Sequence, residues 1–515
     1  MSSEPLARVS ENLYGPRALL RQLLRTKSLD ALIDDTKREG HQLKKVLGPV
    51  NLIALGIGAI VGTGIFATIG TAATGDALRP GAGPALMLSL VLTAAVCAFT
   101  ALCYAEFASM VPVSGSAYTY AYATLGELVA WIIGWDLMLE YAIGNVAVAI
   151  SWGNYFNRLL LGLGVHVPSW MTIDYRTAAQ KMPAIVVAAP HVFGVPIVFN
   201  VFAVAIVSAI TVVLVWGVQE SARANTFMVG FKLLILGFFV FVSMKYVEPA
   251  NWHPFAPNGV GGIGAGAAVI FFAYIGFDAV STCAEECKNP KRDMPIGIIG
   301  SLIICTIIYV VIAAVFTGMM PYTKLLEASP DEQAEPLTMV MSYVKMPEWM
   351  VGVVAFGSVI AQTAVLLVFQ LGQPRIFFAM ARDGFLPPIF SRVHPKYKTP
   401  HVSTILTGVV VAVFSAFANI DEMVDLTNIG TLFAFILVCV GIIILRFKDP
   451  NRERSFRVPF GPVLVPGLGL LSCLGLIWYL PPSSWARFAI WLVVGLVVYF
   501  AYGFRRSRLR AQSAL

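Results

Sequence analysis

Residues 56–66 read GIGAIVGTGIF, with glycine at positions 56, 58, 62 and 64. This stretch lies near the middle of an apolar run over residues 50–74, and about 20 such residues suffice for a helix to cross a bilayer. Backbone that leaves the helical conformation within a membrane is tolerated only where protein or a cavity surrounds it. We therefore interpret the run as a spanning helix that is broken at its glycines, next to a central site.

A second stretch of the same kind lies in the apolar run over residues 263–284. Residues 262–266 read GIGAG, and residues 271–278 read FFAYIGFD. Glycine-rich interruptions at corresponding positions of two halves are typical of inverted-repeat transporters, where the broken helices surround the substrate. Close helix packing through small residues is the alternative explanation of these glycines, and the pattern alone leaves both open.

The composition places the whole chain in the membrane class, since 57% of its 515 residues are hydrophobic and 13% are charged. We number the apolar runs that are long enough to cross as spans one to twelve. They cover approximately residues 50–74, 84–111, 127–150, 197–216, 226–247, 263–284, 296–319, 349–374, 402–419, 428–446, 463–480 and 487–503.

The basic residues orient these spans, because Lys and Arg accumulate in cytoplasmic segments. With both termini in the cytoplasm, 27 of the 36 Lys and Arg residues fall on the cytoplasmic side. This placement in a cell membrane also explains the net charge of +7 without a nucleic-acid partner. The predicted organisation is a tail at 1–47, five-helix repeats at 48–247 and 262–447, peripheral helices at 463–503 and a tail at 504–515.

The broken helices offer backbone groups that match an α-amino acid. The amides of Gly62, Thr63 and Gly64, at the positive end of the second half-helix, can receive a carboxylate. Carbonyl groups can receive an ammonium group near Ile60 and around Phe272, Ala273 and Ile275. We therefore predict that the site recognises the amino acid backbone and leaves the substrate side chain to other spans.

Lys232 is the one basic residue well inside a span. A charged residue in the hydrocarbon is costly and usually functional, so we interpret Lys232 as a proton carrier. The alternative is a lysine whose ammonium group reaches the membrane surface, since it lies six residues after Thr226.

Three further polar residues inside spans are candidates. Glu140, with Asp136 one helical turn before it, and Asp278 are acids that could serve a proton pathway or hold unwound backbone in place. Gln362 is the conspicuous polar side chain of span eight, and an ordinary hydrogen bond between helices would also explain it.

The cysteines and histidines argue against metal and redox chemistry. All seven cysteines lie in or beside apolar runs, and all six histidines fall in tails or loops. We therefore expect no disulfide, no metal site, no cofactor other than a coupling proton, and no enzymatic activity. The external connection over residues 162–196 contains four prolines and is expected to hold little regular helix.

Several motifs together resemble one family. They are KKVLG at 44–48 before the first glycine-rich stretch, YAEF at 104–107, VPVSGSAYTYAY at 111–122, GWDLMLEYA at 134–142, FFAYIGFDAVSTCAEECKNPKRDMPIGI at 271–298 and GQPRIFFAMARDGFLP at 372–387. The chain over about 25–503 resembles the cationic amino acid transporter branch of the amino acid, polyamine and organocation superfamily, and its bacterial twelve-span members most.

This resemblance implies an all-α membrane protein with an inverted-repeat bundle, in which broken helices one and six bind free L-amino acids. In similar proteins the lysine that matches Lys232 is thought to occupy the place of a coupling sodium ion, which favours proton symport. We expect protonated Lys232 to bond the Gly58 carbonyl, with Glu140 and Asp278 in supporting roles. Gln362 matches the place where span eight meets the substrate side chain, which favours neutral or broad specificity.

Other functions remain open at this point. An amino acid exchanger and a transporter of cationic amino acids fit the same motifs, and a receptor that binds without transport is a distant alternative. The peripheral helices offer a surface to a small accessory membrane subunit, and the oligomeric state is undetermined.

Overall fold

The computed structural model describes residues 23–27, 45–110, 116–217, 222–397 and 399–508. Most of the two predicted tails therefore lies outside the described residues. The α-helices are Pro49–Ile60, Ile69–Thr74, Leu86–Met110, Ser116–Thr124, Glu127–Gly162, Tyr175–Lys181, Pro183–Ala188, Val201–Trp216, Ala222–Ser243, Gly259–Ile270, Pro290–Met319, Tyr322–Glu327, Pro330–Gln333, Pro336–Tyr343, Glu348–Arg382, His401–Phe417, Ile420–Lys448, Leu464–Trp478, Pro482–Val498 and Phe504–Arg506.

Shorter elements connect or extend these helices. The 3₁₀ and π turns are Gly64–Thr68, Gly83–Ala85, Ser169–Met171, Met244–Tyr246, Pro249–Trp252, Phe271–Tyr274, Asp278–Glu286, Pro388–Ser391 and Tyr499–Gly503. Strand Gly75–Asp76 pairs antiparallel with Arg79–Pro80, and His191–Val192 pairs antiparallel with Val195–Pro196.

Most of the apolar runs correspond to helices that are long and apolar enough to cross a membrane. Within the described residues, eight helices are long and apolar enough to cross a membrane, and the pair Pro49–Ile60 and Gly64–Thr74, bent by 44°, makes a ninth. The predicted fourth, ninth and eleventh spans correspond to apolar helices of 15 to 17 residues, Val201–Trp216, His401–Phe417 and Leu464–Trp478. That these three also cross stays a prediction.

Span three lies at the centre of the molecule. Of its most apolar 18 residues 89% are buried, against 22% for the helix at Pro482–Arg506. Spans eight and ten both pack along span three. The central helix is therefore surrounded by other helices, and the last span is the less buried of the two.

One expectation about the connection between spans three and four was wrong. The connection over residues 162–196 contains two short helices, Tyr175–Lys181 and Pro183–Ala188. The Asp174 side chain accepts a hydrogen bond from the Thr177 amide and caps the first helix, while Pro183 occupies the first turn of the second. Proline is compatible with the first turn of a helix, so the prolines of this segment start helices as well as end them.

Candidate functional site

The break in span one lies at Val61 and Gly62. Helix Pro49–Ile60 ends where Val61 becomes extended at ψ 100°, and a π-helical turn, Gly64–Thr68, follows. The earlier glycines have another role: Gly56 lies in regular helix, and a Cβ there would overlap Ser301 of span seven. Close packing thus explains Gly56, while the broken-helix interpretation holds around Gly62.

The break in span six follows its glycine run. Residues 262–266 lie within the regular helix Gly259–Ile270, so the prediction that these glycines interrupt the helix was wrong. The irregular backbone begins at Phe271–Tyr274 and continues through the extended residue Ile275 to Gly276. Gly276 has φ +119° and lies against the backbone of Ala59, a conformation and a close approach that require glycine.

The two breaks touch each other. A Cβ on Gly64 would overlap the backbone of Ala273, so the second half of span one approaches the break of span six without any intervening side chain. Ala273 is fully buried, and Phe272 and Ile275 beside it are 6% and 3% exposed. The predicted backbone groups of both spans therefore meet in one enclosed region.

Span eight joins this region through a side-chain hydrogen bond. The Thr63 hydroxyl donates to Oε1 of Gln362 at 3.1 Å, and both side chains are buried. The Nε2 donor of Gln362 has no hydrogen-bond partner among the described residues. Gln362 thus has a donor available for a ligand, which the alternative of an ordinary helix-to-helix bond does not require.

The Ile60 carbonyl, a predicted acceptor for the substrate ammonium group, already accepts a hydrogen bond within the protein. It accepts a hydrogen bond of 3.0 Å from the hydroxyl of Tyr309 in span seven. Since a carbonyl oxygen has two lone pairs, one acceptor position at Ile60 remains for a substrate. The sequence analysis missed Tyr309, because a tyrosine in an apolar span resembles ordinary core.

Lys232 is held at the break of span one. Its side chain is fully buried, and Nζ donates to the carbonyl oxygens of Gly58 at 2.6 Å and Val61 at 3.1 Å. The expected bond to Gly58 is confirmed, and the alternative in which the ammonium group reaches the membrane surface was wrong. These carbonyls lie at the negative end of a helix, where a positive charge is favourable.

The predicted acids Asp278 and Glu140 take no part in the hydrogen bonds of Lys232 to Gly58 and Val61. Asp278 is 2% exposed and accepts a hydrogen bond of 3.3 Å from the Gly276 amide. Glu140, also 2% exposed, lies close enough to interact electrostatically with Asp278 and Asp136. Asp278 therefore supports the unwound backbone of span six directly, as the structural alternative proposed.

Two buried asparagines escaped the sequence analysis. Both side-chain polar atoms of Asn145 in span three are buried without a partner among the described residues. Asn428 in span ten donates to backbone carbonyls of span six. The predicted span ten starts at residue 428, which placed Asn428 at the end of the helix. In the structure the helix begins at Ile420, capped by Asn419, so Asn428 lies within it.

A cavity of about 960 Å³ lies beside the second half of span one, beyond the break. Its wall begins at Ala67 and Thr68, about one turn beyond Gly64, and includes Thr71, Asn157 and Asp421. The cavity lies at the end of span one that is remote from Leu47, which is the predicted external side. We call this cavity the vestibule and interpret it as the entrance to the site.

Thiol labelling would test the side on which the vestibule opens. We expect Thr71→Cys to react with a membrane-impermeant thiol reagent added outside sealed cells, because Thr71 lines the cavity. Cys283 is the half-buried native cysteine and the other six are buried, so Cys283→Ser provides the background.

Thr93→Cys is the matched control for this experiment, since Thr93 is fully buried and should stay unreactive. Reaction of Thr71→Cys only after the inner face is made accessible would contradict the orientation.

Among the described residues, no three His, Cys, Asp or Glu side chains are grouped so as to hold a metal ion. The site is therefore built from backbone groups, neutral polar side chains, one lysine and buried acids.

Comparison with known proteins agrees with this architecture. The family model for amino acid permeases matches residues 47–501. The chain is 46% identical to the branched-chain amino acid permease BcaP of Bacillus subtilis, over 95% of this chain and 99% of the relative. It is 43% identical to the methylthioribose transporter of the same species, over 95% and 100% of the two chains.

A plant relative is more distant. The vacuolar cationic amino acid transporter 4 of Arabidopsis thaliana is 36% identical over 84% of this chain and 68% of the relative. All three relatives are named as permeases or transporters, and none as an enzyme. The protein is thus a multi-pass membrane transporter of amino acids, and the chain belongs to the amino acid permease family.

Proposed function

We propose that the protein is a proton-coupled symporter of neutral L-amino acids in the cell membrane, with both termini in the cytoplasm. The observation that carries the coupling is the pair of hydrogen bonds from the Lys232 ammonium group to the Gly58 and Val61 carbonyls. A titratable donor at the break of a spanning helix can link proton binding to the position of that helix.

The coupling step follows from the strength of these bonds. Hydrogen bonds from a charged donor are roughly twice as strong as those between neutral groups, so protonated Lys232 ties helix Pro49–Ile60 firmly to span five. Loss of the proton would weaken that tie and release the inner half of span one. Alternating access then consists of opening the vestibule side while Lys232 is protonated and the inner side after its proton has left.

The substrate backbone would bind between the two breaks. The amides of Gly62, Thr63 and Gly64 would receive the carboxylate, and the remaining lone pair of Ile60 would receive the ammonium group together with carbonyls around Phe272, Ala273 and Ile275. Asp278 would keep the unwound backbone of span six in place, and Glu140 would stabilise that arrangement through span three.

The substrate side chain would meet neutral groups. Gln362 and Thr63 are uncharged and bond each other, and Phe272 adds an apolar surface. A cationic side chain would need a carboxylate or several acceptors at this point, whereas Gln362 presents an unpartnered donor. The similarity to a permease that is named for branched-chain amino acids supports the same preference.

The two-repeat organisation belongs to the proposal. Residues 48–247 and 262–447 would form the two repeats, and residues 463–503 the peripheral helices. The equal lengths of helices Pro49–Ile60 and Gly259–Ile270, 12 residues each, support it. An accessory subunit on the peripheral helices would leave the transport site unchanged.

Uptake by purified protein in liposomes tests the proposal. We expect radiolabelled leucine and alanine to accumulate at least about fivefold above equilibrium when an inward proton gradient is imposed, because a gradient of one pH unit supplies about 1.4 kcal/mol. Arginine uptake should stay near that of empty liposomes. Excess unlabelled methylthioribose tests the substrate class of the second relative by competition.

Three results would each overturn one part of this proposal. Accumulation of arginine would show that Gln362 does not exclude cationic side chains. Uptake that requires amino acid inside the liposomes, with or without a proton gradient, would identify an exchanger. Binding of leucine without any uptake would favour a receptor.

A further inference from the structure

The first halves of spans one and six are equivalent pieces. Helices Pro49–Ile60 and Gly259–Ile270 each contain 12 residues, and each is followed by irregular backbone. Glycine occupies the fifth position from the end of both helices, at Gly56 and Gly266. Position 58 in the first helix therefore corresponds to position 268 in the second, as the third residue from the end.

Each of these equivalent positions receives a side-chain hydrogen bond from another span. The Gly58 carbonyl accepts from Lys232 of span five at 2.6 Å. The Ala268 carbonyl accepts from Nδ2 of Asn428 in span ten at 2.8 Å, and the Val269 carbonyl lies 3.3 Å from the same nitrogen. Spans five and ten are the last members of the two proposed repeats, so the donors correspond as well as the acceptors.

The surroundings of Asn428 favour a role at the break over a general packing role. Its side chain is fully buried, and Oδ1 has no partner among the described residues. Span ten also packs along the break, since the ring of Phe435 lies 5.8 Å from that of Phe271 and 5.1 Å from that of Phe277. The bonded carbonyls lie in the last turn of a helix, where the regular α-helical partners run out.

The donors differ in one chemical property. The lysine ammonium group can release a proton, whereas the asparagine amide stays neutral at every physiological pH. Helix Gly259–Ile270 has no titratable side chain. The acids that face span ten close to Asn428 are Asp425, which is paired with Arg79, and Asp136 and Glu140 of span three, which lie against Gly430 and Thr431.

We propose that Asn428 is the second-repeat counterpart of Lys232, a positioning residue that ties the first half of span six to span ten at every stage of proton coupling. This inference rests on the proposed symport. The proton would then release only one of the two equivalent half-helices, and the asymmetry would make helix Pro49–Ile60 the moving part while helix Gly259–Ile270 stays with span ten.

Exchange of labelled for unlabelled leucine in liposomes at equal internal and external pH tests this role. Asn428→Ala removes the donor, and we expect its exchange rate to fall roughly five- to tenfold at every pH, as loss of a buried hydrogen bond predicts. Asn428→Asp can donate only when its carboxyl group is protonated. We expect its rate to recover at least about threefold between pH 7.5 and pH 5, relative to the wild type at the same pH.

Gln373→Ala provides the matched control, because it removes a hydrogen bond of 3.1 Å that the Gln373 side-chain amide donates to the Met138 carbonyl, between spans eight and three. Its exchange should follow the wild-type pH profile, and size-exclusion profiles and melting temperatures would show that all variants are folded. Equal relative rates of Asn428→Asp and Asn428→Ala at every pH would overturn the inference. A wild type that exchanges leucine but fails to accumulate it in a proton gradient would overturn the proposed coupling instead.

Discussion

Lys232→Met should abolish accumulation of leucine against its gradient while leaving the protein folded. Methionine keeps most of the length and apolar volume of lysine but removes the donor and the charge. The Gly58 and Val61 carbonyls would then lose the hydrogen bonds from Nζ. Each lost bond leaves a buried acceptor without that donor, at a cost of about 1–3 kcal/mol. We expect proton-driven uptake to fall at least about tenfold, towards the level of empty liposomes.

A second substitution at Lys232 distinguishes the release of the proton from the hydrogen bonds, and a substitution at Lys245 is its control. Lys232→Arg keeps a positive donor, but a guanidinium group does not release its proton in proteins, so leucine binding should persist without proton-driven accumulation. Lys245→Met is the control, since Lys245 is an exposed lysine near the end of the same span, placed over the Tyr246 ring at 4.8 Å. Uphill uptake by Lys232→Met in an imposed pH gradient would disprove the role of Lys232.

Gly64→Ala is expected to eliminate transport through a steric effect. The added methyl group would occupy the position of the Ala273 backbone, so that one of the two broken helices would have to move away from the other. Inserting a methyl group into a packed core typically costs about 1–3 kcal/mol, and more where backbone has to shift. We expect leucine binding and uptake to be lost and the melting temperature to decrease.

A series of glycine substitutions would rank this effect. At Gly62 the new methyl group would lie 2.8 Å from Cγ2 of Val365, the end of a side chain that can turn away, so Gly62→Ala should retain part of the activity. At Gly237 nothing lies within 4 Å of the added carbon, and alanine favours a helix over glycine, so Gly237→Ala should behave as the wild type. Equal uptake by Gly64→Ala and Gly237→Ala would contradict the close contact of the breaks.

The sequence was informative wherever a signal was local. Apolar runs predicted the eight long apolar helices and the bent pair, because a helix needs about 20 apolar residues to cross the hydrocarbon. A lysine in the middle of a span pointed to a function because its burial needs compensation, and the Gly58 carbonyl was the correct partner. The family motifs added the identity of the broken helices, and the family comparison confirmed that resemblance.

The sequence pattern was wrong where several glycines of one span could each mark the break. Gly56 and the glycines at 262–266 proved to be helical, and the breaks lie at residues 61–62 and 271–276. Glycine permits both a close helix contact and an unwound turn. Which of the two occurs depends on what the neighbouring span presents, such as Ser301 opposite Gly56 or Ala273 opposite Gly64.

The sequence by itself determined that this chain is a helical membrane protein with a lysine inside one span, because hydrophobic length and charge act on the chain locally, and its motifs carried the resemblance to amino acid transporters. Only the tertiary structure decided that Tyr309 occupies the Ile60 carbonyl, that Thr63 meets Gln362 and that Asn428 holds span six. These partners lie 160 to 299 residues apart along the chain. Their pairing follows from how the spans pack against each other, which no local pattern of residues encodes.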